Sequence, residues 1–436
     1  MLKINVLSIL TFLCLNLLSQ GNSPYSELGI GGITQSTFQS NFSTGGLSTT
    51  YDSRYFINPE NPASYGKIKY TVGEAGLYYS NNYYSDSTGT GTNSSFNIGH
   101  FGFAFPILSN MGVALGIMPY SKTDYNYSFN DVNQDNLSIK RKFKGKGNLS
   151  QLFLGTGFSI NNFSFGVNGK YIFGELTKAE HLEFLSGDFT NIRNQEITLV
   201  RGLTAQAGAI YEIPVGEKHT LKLGGTFNLG NNIAANKYQV INNYSSSTAT
   251  VDNEVVVIEN HTEGTVLLNT ESDPTKQDIT LPHEYKAGIS FSKKGRYYLG
   301  LDYKNSAWDV FKIGGISQGM ARQQNLILGG EYIPNKDAKG IENYFKSVIY
   351  RAGINYGNSS IVTNGEQLTE YGIKFGLGFP LKKYKYESEK FGSYLFTSIG
   401  YDRISAENPG SISEHYFKIN FSVILNDKWF VKRKFD

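Results

Sequence analysis

From Ile68 onward the chain alternates apolar and polar residues with a period of two. Residues 163–173 set Phe163, Phe165, Val167, Gly169, Tyr171 and Phe173 on one face, with Ser164, Gly166, Asn168, Lys170 and Ile172 on the other. Residues 417–425 repeat the pattern, with Phe417, Ile419, Phe421, Val423 and Leu425 opposite Lys418, Asn420 and Ser422. Successive side chains of a strand point to opposite faces, so this spacing predicts strands. The same reading places strands over 68–83, 96–106, 112–129, 147–160, 163–183, 195–213 and 218–233 in the first half. The second half gives 281–292, 296–314, 323–333, 344–356, 367–380, 390–404 and 413–425. Such long strands with open edges would aggregate in water, and closing the sheet removes the edges. The expectation is an all-β fold, a transmembrane antiparallel β-barrel of about 14 strands, an even number that puts both chain ends on the periplasmic side.

The connections are unequal, as a membrane barrel requires. Leu108–Asn110, Asn161–Asn162, Val215–Lys218 and Lys293–Arg296 read as short periplasmic turns. Ser85–Ser95, Asn130–Lys146 and above all 234–280 read as long extracellular elements, the last either extending two strands or forming a folded cap. Residues 21–67 break the pattern. They are rich in Gly, Ser, Asn and Thr and carry the turn Asn58-Pro59-Glu60-Asn61-Pro62-Ala63-Ser64. Irregular backbone is tolerated at membrane depth only inside a protein or beside water, so this segment is expected to fill the lumen as an N-terminal plug. The barrel proper is then 68–436.

Composition agrees with a barrel. The chain has 30 Tyr, 29 Phe and 48 Gly against 18% charged residues, which suits aromatic girdles and close-packed strands. Residues 1–20 read as a secretory signal peptide, with Lys3 ahead of an apolar stretch and the only cysteine, Cys14, inside it. No later run approaches the roughly 20 apolar residues of a spanning helix. A net charge of +3 gives no warrant for nucleic-acid binding. The six histidines show no ligand spacing and no cysteine complements them, so neither metal nor other cofactor is expected. There is no phosphate-binding glycine loop and no nucleophile elbow, and no enzymatic activity is expected.

A hydrophobic ligand needs an apolar pocket with one polar or cationic group. Arg54, Tyr55, Phe56 and Ile57, ahead of Asn58, Pro59, Asn61 and Pro62, offer that combination; they equally suit anchoring of the plug. Pro119 interrupts a predicted strand, removes a ladder hydrogen bond, and marks a candidate lateral opening or a kink at the rim. Arg351 is expected to face the lumen, and Trp308, Trp429 and Phe430 to lie at the membrane interface.

Several segments together resemble the outer-membrane transport proteins of the long-chain fatty-acid transporter type, in the form common in Bacteroidota. They are Gly45-Gly46 with the Asn58–Ser64 turn, Leu281-Pro282 with Lys286–Phe291, Leu299–Tyr303 with Trp308, Tyr350–Tyr356, and Gly376–Pro380. The resemblance implies a plugged fourteen-stranded barrel in the bacterial outer membrane that passes hydrophobic molecules sideways through its wall. Its expected partners are outer-membrane lipids and a hydrophobic ligand or detergent. Relatives also serve as non-conducting accessory subunits of outer-membrane protein secretion or assembly complexes, which would add other outer-membrane proteins or lipoproteins as partners. The segment before Asn58 is polar and offers no apolar helical pair to grip an acyl chain.

Overall fold

The computed structural model describes residues 23–429 apart from 86–88, 133–136, 185–188, 252–253, 271–272, 339, 387–388 and 407–410. Residues 1–22 and 430–436 therefore lie outside the described chain, and with them the signal reading, Cys14 and Phe430.

The wall is built from β1 (Thr71–Ser85), β2 (Thr90–Leu108), β3 (Met111–Lys122), β4 (Ser138–Ile160), β5 (Phe163–Phe184), β6 (Asn191–Val215) and β7 (His219–Asn228). It continues through β8 (Glu284–Lys293), β9 (Tyr297–Ser306), β10 (Gln323–Tyr332), β11 (Ile349–Thr363), β12 (Glu366–Tyr386), β13 (Glu389–Ser405) and β14 (Ser413–Asp427). Each pairs antiparallel with the next, and β14 returns to β1 from Asp427↔Thr71 to Ser413↔Ser85, closing a fourteen-stranded barrel. Each wall strand overlaps one predicted from the period-two pattern.

The outward face is mostly apolar. Phe165, Val167, Leu299, Leu328, Ile354, Phe375, Phe421 and Leu425 are all exposed, while their strand neighbours point inward and are buried. Lipid is the solvent that accepts such a face. Replacing Ile354 by arginine should cost about 2–4 kcal/mol near mid-depth. Urea unfolding in lipid vesicles measures this, and a neutral result would mean that this face does not meet lipid.

Several strands are far longer than the roughly 9–11 residues a membrane needs. β4, β5 and β6 have 23, 22 and 25 residues. Their excess stands on the side opposite the tight turns. There Tyr125–Val132 pairs with β4, and Asn232–Val251 pairs with β6, with Glu254–Asn269 and with Thr275–Thr280. The element 234–280 is thus a strand extension of the wall.

Four expectations need correction. The strand read over 112–129 is two strands broken at Thr123–Asp124. Asn130–Lys146 is largely ladder, because Ser138–Lys146 already belongs to β4. The strand read over 296–314 ends at Ser306, and a 3-10 turn Trp308–Val310 follows. The first described residues do not share the Thr71–Asp427 rim: Ser23 bonds to Asp124 and to Glu414, so they sit at the opposite end of the barrel.

Candidate functional site

The segment Ser23–Lys67 descends through the lumen, and almost every residue of 37–66 outside 52–55 is buried. Phe38, Leu47, Ile57 and Tyr65 are fully enclosed, but so are Gln39, Ser40, Ser43, Thr44, Ser48, Thr49 and Thr50. Buried polar groups must be hydrogen-bonded, and two asparagines organise these. Asn58 Nδ2 donates to the carbonyls of Ser48 and Tyr51 at 2.8 Å each, while its Oδ1 accepts from Asn41 Nδ2 and the Glu60 amide. Asn61 caps the 3-10 helix Pro62–Lys67 by accepting from the Ala63 amide, and donates to the Thr49 carbonyl. Pro62 follows at the first helical position, where its missing N–H costs nothing. The Asn58→Ala change orphans two carbonyls and should cost about 1–3 kcal/mol. Faster tryptic cleavage after Arg54 in the folded barrel is the expected readout.

Charged wall residues hold this segment in place. Arg351, with its side chain fully buried, donates to Glu331 at 2.9 Å, to the Gln39 carbonyl at 2.6 Å and to the Tyr51 hydroxyl at 2.7 Å. Its guanidinium also lies 4.6 Å from the Phe396 ring centroid and 5.0 Å from that of Phe56. Asp302 Oδ2 accepts from the amides of Ser48 and Thr49 at 2.8 and 2.9 Å. Lys286 pairs with Glu60, and Lys222 bridges Asp52 and Glu212.

Between these anchors the wall is glycine. A Cβ on Gly112, Gly157, Gly166, Gly224, Gly329 or Gly353 would come within 3.0 Å of backbone atoms of the inner segment. One on Gly208 would strike the Asn61 side chain. These glycines lie in register: Gly112↔Gly157, Gly157↔Gly166 and Gly166↔Gly208 cross four strands, and Gly300↔Gly329↔Gly353 cross three more. The glycine belt was missed in the sequence, although glycines recurring at inward phase in successive strands were its signal.

Above the inner segment lies a cavity of about 380 Å³ with Lys170, Glu284, Lys286, Lys304, Glu370 and Asp402 in its lining. Ile33, Met118, Ile172, Leu281, Trp308 and Ile327 line it as well, so its walls are more apolar than polar and carry a set of charged groups. Of the candidate ligand residues Arg54, Tyr55, Phe56, Ile57, Asn58, Pro59, Asn61 and Pro62, none lines it. Phe56 packs edge-on against Tyr394 and Phe396, Tyr55 stacks on Tyr70, and the Pro59 carbonyl accepts from Asn168. Arg54 sits near the tight turn Lys294–Arg296, where its charge, then burial and Lys336, hold the Lys294 ammonium below its ordinary value.

Pro119 lies where the wall pairing changes. The β2–β3 ladder runs from Leu108↔Met111 to Phe101↔Ile117, and no pairing is recorded beyond it among the described residues. β3 is irregular against β4 between Pro119 and Ser121, while Gly32–Ile33 of the inner segment pairs with Lys122 and Ser121. On the β2 side, a register shift opposite Gly76/Leu77 leaves Gly99 as the extra residue. Beside it, His100 is fully enclosed, 3.2 Å from Glu74, 3.1 Å from Thr37 and stacked on Phe38.

Trp308 does not sit in an interfacial girdle. It is 5% exposed and packs with Phe311 in an inner cluster containing Ile30 and Leu281, because the turn after β9 folds inward. Trp429 is exposed, 5.3 Å from the Phe103 ring. Among the described residues no group of three His, Cys, Asp or Glu could hold a metal ion.

Closed wall, lipid-facing exterior and filled lumen define a plugged outer-membrane β-barrel of fourteen wall strands. The chain belongs to the BamG family, whose sequence profile matches residues 1–436. No curated protein matches. The Ralstonia pickettii toluene transporter TbuX shares the fold with a TM-score of 0.58 at 12% identity, covering 90% of this chain and 99% of its own. A Pseudomonas aeruginosa FadL homologue gives 0.56 at 12% identity, over 91% and 99%. The Pseudomonas putida toluene transporter TodX gives 0.53 at 12% identity, over 91% and 100%.

Proposed function

We propose that this barrel is a non-conducting accessory subunit of an outer-membrane protein secretion or assembly complex, with Ser23–Lys67 as a fixed plug. The in-register glycine belt carries this reading, because backbone seated on backbone leaves no lane for solute along those strands. Asp302, Arg351 and Lys286 fasten the same segment, so moving it would expose several buried charges at once. The strand extensions above the membrane supply surface for neighbours. Purified barrel in planar bilayers should show no open-channel conductance, and mild-detergent extraction should recover it with stoichiometric outer-membrane partners. Steady conductance from the intact barrel, or a barrel recovered alone, argues against this reading.

A second reading, passage of hydrophobic small molecules, is favoured by one observation: the β2–β3 ladder stops at Phe101↔Ile117, beside Pro119 and the luminal cavity. Solved proteins of this fold include toluene transporters. The lining of that cavity, more apolar than polar, is compatible with such a ligand. Uptake of radiolabelled toluene by cells with and without the protein separates the two readings. The subunit role predicts no difference.

A further inference from the structure

The rim that carries the tight turns has one long connection, from β10 to β11, and it holds a 3-10 helix at Ile341–Ser347. Ile341 is 94% exposed and Phe345 68% exposed. Leaving such large apolar side chains in water is unfavourable in proportion to their area. Other connections on this rim are short and polar, as at Asn161–Asn162, Gly216–Lys218 and Lys294–Arg296.

Two tyrosines fix the helix on the outside of the wall. Tyr350, in the outward-facing series that continues through Ala352, Ile354 and Tyr356, donates its hydroxyl to the Phe345 carbonyl at 3.1 Å. Tyr344 donates to the Pro380 carbonyl at 3.0 Å. The Asn335 amide, donating to the Lys346 carbonyl at 2.7 Å, ties the ends of the loop together. Ile341 and Phe345 therefore continue the apolar exterior, beside Tyr332, Leu377 and Leu381, which are themselves exposed. At three residues per turn Asn343 and Lys346 share one side of the short helix and form its polar side, whereas Glu342 lies on the side of Phe345. An amphipathic helix at the end of a lipid-facing wall has the composition of an interfacial anchor.

We propose that Ile341–Ser347 is a membrane foot that inserts Ile341 and Phe345 among the phospholipids of the periplasmic leaflet. It fixes the depth of the barrel on the β10–β12 side. The site is distinct from the plug and independent of either functional reading.

The test uses the full-length barrel in a Cys14→Ser background, reconstituted into phosphatidylethanolamine–phosphatidylglycerol vesicles without partners. An environment-sensitive fluorophore is attached at Ile341→Cys, Phe345→Cys or Lys346→Cys. Labels at 341 and 345 should emit to the blue and be quenched severalfold more by brominated phospholipid than by aqueous iodide; the label at 346 should show the reverse. Labels at 341 and 345 that iodide reaches as easily as at 346 would overturn the proposal. Protection from iodide that appears only when a copurifying protein is added would also overturn it, and would assign the patch to a protein contact. Three labelling positions keep the result readable if one variant does not fold.

Discussion

A leucine at Gly353 should prevent the inner segment from seating. The added Cβ would meet the carbonyl group of Thr44 and the amide of Gly45, and backbone atoms cannot rotate away as a side chain could. Overpacking of well-fitted interiors costs about 1–3 kcal/mol even where side chains can adjust, and this site should lie at or beyond the upper end. The expected result is a barrel whose N-terminal segment is cleaved by trypsin at Arg54 and Lys67 and which conducts ions in planar bilayers. Gly169→Leu is the matched control. It lies on the outer face of β5, where a Cβ comes no nearer than 3.8 Å to any neighbour, and it should leave folding and conductance unchanged. A Gly353→Leu barrel that stays closed and protease-resistant would show that the belt does not seat the plug. The argument for a sealed lumen would fail with it.

Truncating Arg351 should produce the largest single loss of stability among the luminal charges. Its guanidinium serves Glu331, Gln39 and Tyr51 at once, so Arg351→Met strips the Glu331 carboxylate of its buried counter-charge and leaves it only the Tyr51 hydroxyl, while the Gln39 carbonyl keeps the Ser43 hydroxyl alone. Removing one partner of a buried ion pair costs about 3–5 kcal/mol, and urea unfolding in vesicles reads that range directly. Arg351→Lys should recover only part, because an ammonium cannot reach three acceptors in a planar fork. Adding Glu331→Gln to Arg351→Met should restore some stability, since the uncompensated charge is gone. Equal losses in the single and double variants would show that the carboxylate is not the group left in difficulty.

The wall was legible because a membrane strand has a strong local rule. One face meets lipid and the other meets the lumen, so each strand carries its own orientation, and the side-chain phases of 163–173 and 417–425 follow directly. Boundaries were blurred where that rule lapses. Above the membrane both faces meet water or other strands, so Ser138–Lys146 read as loop although it is paired on both sides, with Tyr125–Val132 and with β5. Trp308 misled for the opposite reason. A tryptophan at a strand end usually marks the interface, but here the chain turns inward one residue after β9 and carries the ring with it. The inner segment offered little beyond its turn residues. Gln39, Thr44 and Thr49 look like ordinary loop polarity until the wall donors and acceptors that enclose them are in place.

The sequence by itself determined that the chain forms a closed antiparallel barrel with an oily exterior, because alternation at period two is set strand by strand. It also singled out residues 21–67 as a separate kind of structure, through their lost periodicity and the fixed backbone of the Asn-Pro turn. Only the tertiary structure decided how that segment and the wall meet. The register that aligns Gly112, Gly157, Gly166 and Gly208, and the convergence of Arg351 on Gln39 and Tyr51, join residues from neighbouring hairpin strands to opposite ends of the chain. Such contacts arise from closure of the sheet, and no local pattern encodes the distance across a lumen.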